Sequence, residues 1–242
     1  MVPCRPRFAA DPHSLAMAPT AGALRPAREA AAARLWASHD AKAWDGARAA
    51  APARGGRRLP PALDAWFLSQ GPSFLASLTK PDLVRVVEWK LARGTPRPAL
   101  LGYARAQAEG DVAAAGRAAA AALGSGDLAS VGAALDALCA LRGVGPATAA
   151  ALLTAADPTI PPLGDEAAAV VHGVREYTRG AVLAVTKACR ERAKGLGGGW
   201  TARDVERALW SVAREGEDEG ERGEAAAAKP TPAKRKRGGA AV

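Results

Sequence analysis

The chain has 242 residues, a formal net charge of +9, 49% hydrophobic residues and only 5% aromatics. At roughly 150 residues per domain, this predicts one domain with appendages. No apolar run reaches the roughly 18 residues of a membrane span, and the opening "MVPCRPRFAADPHSLAMAPTAG" lacks the continuous apolar stretch of a secretory signal. No membrane partner is expected, and an organelle transit peptide is the alternative reading of that start. Cys4, Cys139 and Cys189 are far apart and have no metal-ligand spacing, nor do His13, His39 and His172. The cysteines read as reduced core thiols, which suits a reducing compartment, and no metal site is expected. There is no phosphate-binding Walker loop, no Ser-His-Asp arrangement and no G-x-G-x-x-G after a strand.

Residues 1–26 read as a flexible segment, 27–214 as the folded domain and 215–242 as a disordered tail. Alanine is abundant and no stretch alternates as a strand does, so the fold class is all-α, a compact multi-helix domain. The first helical pattern runs from Arg28 to Ala50, and "PALDAWFLSQ" carries the next. In "LTKPDLVRVVEWKLARG", Thr79 is placed as N-cap with Asp82 three residues on and with Leu78 and Leu83 as a hydrophobic staple. "WTARDVERALWSVARE" repeats that grammar with Thr201, Asp204, Trp200 and Val205. Between them, helices are expected near 98–109, 111–123, 127–141, 147–156, 165–177 and 180–194. The tail has too little apolar bulk to offset its ordering entropy. It ends in Lys234, Arg235, Lys236 and Arg237, which read as a nuclear import signal or an electrostatic DNA contact, so the nucleus is the expected location.

Most of the positive surplus falls on residues 27–214, and a basic folded domain favours polyanions. Within it, Arg142-Gly143-Val144-Gly145-Pro146 separates two apolar helix patterns. Gly143 and Gly145 permit positive φ and close backbone approach. Val144 is placed as a plug between the helices, and Pro146 suits the first helical turn. The second helix would present free N–H groups, a ready site for phosphate. Such contacts position a nucleic acid without reading its sequence.

"LRGVGPATAA" resembles the helix-hairpin-helix motif, in which the hairpin carbonyls often hold a monovalent cation. The spacing to "GDEAAAVV" further resembles the DNA glycosylase superfamily built on that hairpin. "LVRVVEWKLARGTPRPAL" and "DVERALW" are similar to its Amun-like branch, a resemblance covering roughly residues 29–214. It implies DNA as partner, held mainly by its phosphate backbone through Arg142, Gly143, Val144, Gly145 and Thr148. In lyase-type members a lysine lies two residues after the second glycine. Here that position is Ala147, which cannot form a Schiff base. The catalytic aspartate of the family falls on Asp165, where a carboxylate would stabilise an oxocarbenium-like transition state. The implied chemistry is hydrolysis of the N-glycosidic bond of a damaged or mismatched base, without a lyase step and without any cofactor beyond the cation.

Other residues are open to two readings. Asp165 is also a good helix N-cap, and Glu166 a first-turn helix stabiliser. Trp89 is a candidate to stack on an extruded base, or a boundary residue in the helix packing. Lys90, Arg93 and Arg97 recur at helical spacing and suit phosphate contact or a solvated face. As a whole the chain reads as a monofunctional glycosylase, with a non-catalytic DNA-binding or chromatin-associated module and a protein-interaction domain as the alternatives.

Overall fold

The computed structural model describes residues 21–55, 58–173 and 175–215. The expectations for Cys4, His13, the tail and the basic run Lys234, Arg235, Lys236 and Arg237 lie outside the described residues. Among those described there are eleven α-helices and no strand, as the all-α reading requires. In chain order they are α1 (Ala21–Ala37), α2 (Ala41–Ala50), α3 (Pro61–Leu68), α4 (Lys80–Arg93), α5 (Pro98–Arg105), α6 (Glu109–Leu123), α7 (Leu128–Cys139), α8 (Pro146–Ala156), α9 (Asp165–His172), α10 (Arg179–Leu196) and α11 (Ala202–Val212). A short 3-10 turn, Ala51–Gly55, follows α2.

The caps explain most boundaries. Thr79 and Asp82 form a reciprocal box at the start of α4, and Thr201 and Asp204 form the same box at the start of α11. Two expectations are corrected. The helix expected from Arg28 to Ala50 is two helices, because Asp40 accepts from the Lys42 N–H at 2.9 Å and starts α2 afresh. A local side-chain bond of this kind competes with helix continuation. The helix expected over 165–177 stops at His172, where Gly173 takes a left-handed φ of 69°. Helix α1 begins at Ala21. Its alanine-rich sequence outweighs the single Pro26 near its amino end.

The core is organised around α8. Every residue from Ala147 to Ala156 is buried, the mark of a helix surrounded on all sides. Helices α4, α7 and α10 pack against it, and its small alanines allow them close. Leu152 and Leu153 fill the gaps between them and are fully buried; removing either side chain to Ala costs about 2–5 kcal/mol. Helix α11 lies against α1, α2, α9 and α10. That encirclement buries even its charged residues, Glu206 and Arg207. Cys139 and Cys189 are free thiols, half-buried and buried, as the reading of reduced core thiols requires.

Candidate functional site

The turn between α7 and α8 is short. Val144 is buried and its N–H donates to the Leu141 carbonyl at 3.0 Å, so it plugs the turn as expected. The two glycines differ. Gly143 has a φ of 79°, and a Cβ there would lie 2.6 Å from the Tyr103 Cβ on α5. Its identity is demanded by the fold. Gly145 has a φ of −90° and no atom within 4 Å of where a Cβ would stand. Of the two, only Gly143 uses the positive φ that glycine permits, because Gly145 as N-cap takes ordinary extended backbone. Its carbonyl accepts the N–H groups of Thr148 and Ala149, both at 2.9 Å. The amides of Gly145 and Ala147 donate to no carbonyl among the described residues.

This helix start opens onto a cleft of about 200 Å³. A drug-sized ligand takes roughly 300–1,000 Å³, so the cleft suits one small ring system. Its walls come from α4, the turn, the start of α8, the start of α9, Tyr177 and the end of α11. Asp165 and both glycines line it together, as do Lys90, Arg97 and Thr148.

Asp165 is the first residue of α9, and Gly164 occupies the cap position without a side-chain cap. The N-cap reading of Asp165 is thereby set aside. Its carboxylate instead accepts from the Tyr177 hydroxyl at 2.5 Å, and the Arg175 guanidinium lies 3.8 Å away. Arg175 is itself tied to Glu29 on α1. The Asp165 side chain remains 32% exposed, so it is held and still reachable. Burial, followed by the Asp165 hydrogen bond and charge, pushes the Tyr177 hydroxyl up to about 12. Tyr177 therefore stays a proton donor to Asp165 at any ordinary pH.

The floor of the cleft is a buried ionic lattice. Arg93 on α4 pairs with Glu206 on α11 at 2.9 Å, and Glu166 on α9 pairs with Arg214 at 2.9 Å. Arg214 and the Trp210 indole both donate to the Arg93 carbonyl, at 2.6 and 3.1 Å. Burial pushes the Glu206 carboxyl up from the usual range, against the pull of Arg93. Gly164 is what admits Glu206 beneath α9, since a Cβ there would meet its Oε1 at 2.3 Å. Deeper still, Arg207 and the Trp89 indole both donate to Asp64. Burial pushes the Asp64 carboxyl up, but these hydrogen bonds and the Arg207 charge outweigh it and leave it below the usual range.

Several expected contacts are redistributed by this lattice. Trp89 is not free to stack on a base: Phe67 lies flat against one face at 3.5 Å, and the Arg93 guanidinium sits over the ring at 4.7 Å. Arg93 is buried and spent on Glu206 rather than facing solvent. Glu166 does more than stabilise a first turn, since it is buried against Arg214. The Thr148 side chain is buried in the cleft wall. Arg97 and Arg142 are exposed, over the rings of Tyr177 and Tyr103 at 5.7 and 5.0 Å. Lys90 is half-buried in the cleft.

Sequence reasoning misses Tyr177, Arg175, Glu206 and Tyr103. Tyr177 and Arg175 read as helical, and only the left-handed Gly173 turns them back toward Asp165. Tyr103 is the exposed large hydrophobic residue among those described, and it packs on Gly143 beside Arg142. Compared with protein-family models, curated proteins and solved structures, the chain matches none.

Proposed function

We propose that α7, the Gly143–Gly145 turn and α8 form a helix-hairpin-helix element that holds a DNA backbone, and that the cleft behind it hydrolyses the N-glycosidic bond of a damaged or mismatched base. One observation carries the reading: the free amides at the start of α8 and the partly exposed Asp165 carboxylate open onto the same small cleft. A backbone phosphate suits the amides and the helix dipole. An extruded nucleotide would then bring its anomeric carbon toward Asp165. The carboxylate stabilises the cationic transition state and orients the attacking water. Tyr177 and Arg175 keep it in place. Gly145 supports the same view, since the fold leaves open space where its side chain would be.

A monovalent cation at the turn belongs to this proposal. The Leu141 and Arg142 carbonyls each accept one hydrogen bond, from Val144 and from the Gln107 amide. Each keeps a second lone pair, so the turn retains oxygen donors of the right type. When bound, the ion would brace the turn against a phosphate.

A non-catalytic DNA-binding module is the second reading, favoured by one observation. Trp89, the expected base-stacking residue, is sealed into the core. The exposed Tyr103 then takes over as the aromatic nearest the turn. The test is mass-spectrometric detection of free base from duplexes bearing a panel of lesions. Base freed by the wild type supports hydrolysis. Salt-sensitive duplex binding with no base freed from any lesion supports the module.

A further inference from the structure

We propose that Lys90 supplies the Schiff-base amine that position 147 lacks, so that this cleft also cleaves the strand at an abasic nucleotide. The substrate class of this step rests on the proposed function. The expectation of no lyase step comes from Ala147 alone. Yet the cleft that Ala147 lines also receives an amine from α4, on another wall. Lys90 shares that cleft with Asp165 and with the turn glycines. Among the described residues its ammonium makes no hydrogen bond and no ion pair, although Asp165, Glu166 and Glu206 line the same space. The other two carboxylates are committed to arginines. A lysine kept unpaired at such a site is either a cation for an incoming anion or a nucleophile.

The surroundings favour the nucleophile. Burial, and then the positive charge of Arg97, hold the Lys90 amine below the usual lysine range, against a weaker opposite pull from Asp165. Desolvation beside a second cation is one of the recognised ways to activate a lysine amine. A residue meant only to grip phosphate gains nothing from losing its proton.

The chemistry balances without a further reactant. The Nζ lone pair adds to C1′ of the ring-opened abasic sugar, forming a C–N bond. The resulting hydroxyl leaves as water, giving an iminium. Asp165 takes a C2′ proton, the C2′–C3′ double bond forms, and the C3′–O bond breaks as the 3′ phosphate departs. Water then hydrolyses the imine and restores the amine.

The experiment uses the full chain, a duplex containing one preformed abasic site, and borohydride, which reduces an iminium to a stable amine. The expected result is a covalent protein–DNA adduct that peptide mapping places on Lys90. Lys90→Met and Lys90→Arg should lose it, with the fold of each variant checked by its urea midpoint, and Lys90→Arg keeps the charge if Lys90→Met fails to fold. No adduct with the wild type, an adduct mapped to another residue, or an undiminished adduct in both variants overturns the proposal. Base release from lesion duplexes, measured in parallel, separates the two claims. Freed base without an adduct removes Lys90 from the chemistry and leaves the proposed function standing. An adduct at Lys90 without freed base keeps the strand-cleaving amine and removes the hydrolysis.

Discussion

The Tyr177 hydroxyl donates to Asp165 at 2.5 Å across a left-handed glycine turn, joining the loop after α9 to the first residue of the same helix. This bond, more than any helix cap, fixes where the Asp165 carboxylate stands. Tyr177→Phe removes a hydrogen bond to a charged group, a loss of about 1.5–3 kcal/mol, or on the order of 10- to 150-fold. On the proposed function the loss falls on the rate of base release and leaves duplex affinity unchanged. Kinetics on the lesion duplex that is processed, beside anisotropy binding, checks it.

The same bond is visible from the tyrosine. Tyr177 is one of only two tyrosines in the chain, and its ionisation lies at about 12. Asp165→Asn removes the negative charge that helps hold it there. The Tyr177 titration, followed by tyrosinate absorbance, should move down toward the ordinary tyrosine range in the variant. An unmoved titration would mean that burial alone sets it.

The two turn glycines should separate fold from binding. Gly143→Ala combines a left-handed φ with a clash on Tyr103, at a cost of about 2–5 kcal/mol in stability. Gly145→Asp meets nothing in the fold and installs a favoured N-cap, so its urea midpoint should hold or rise. It also puts a negative charge where a phosphate would lie. Duplex binding should fall, and the log–log salt dependence should flatten by about 0.9 for each phosphate that the variant no longer neutralises. Unchanged binding in Gly145→Asp would remove the start of α8 from the interface.

Much of this is legible in the sequence, for reasons that particular residues make plain. Thr79 and Thr201 announce their helices because a capping box is local chemistry. Val144 reads as a plug because it is the one bulky residue between two glycines. The association of Asp165 with the turn is what the family resemblance implies, and the two line one cleft. The losses are long-range. Glu206 and Arg207 carry no local signal of burial, and only encirclement of α11 buries them. Trp89 offers an aromatic face on paper, but Phe67 from α3 stacks on it, and Arg93, one turn on in α4, sits over the ring as well. Gly173 reads as an interior helical residue, which hides Tyr177.

The buried Asp64–Arg207 pair gives a stability test independent of function. Asp64→Asn leaves a buried guanidinium without its carboxylate and should cost about 3–5 kcal/mol in urea unfolding. Because the folded Asp64 titrates below its unfolded value of 3.8, its contribution is present above that pH and is lost as pH falls through the lower folded value. The gap between wild type and variant should therefore persist from neutral pH to near pH 3.8 and close only in stronger acid.

The central claim is that Asp165 acts on a base held in the cleft. The measurement is base release from lesion duplexes by wild type and Asp165→Asn, with duplex affinity recorded for both. Alkali is applied before the strands are separated, so that an abasic product is seen whether or not the protein cuts it. Release by the wild type, lost in Asp165→Asn while affinity persists, is the predicted result. Equal release by both proteins, or none from any lesion while both bind, would contradict it.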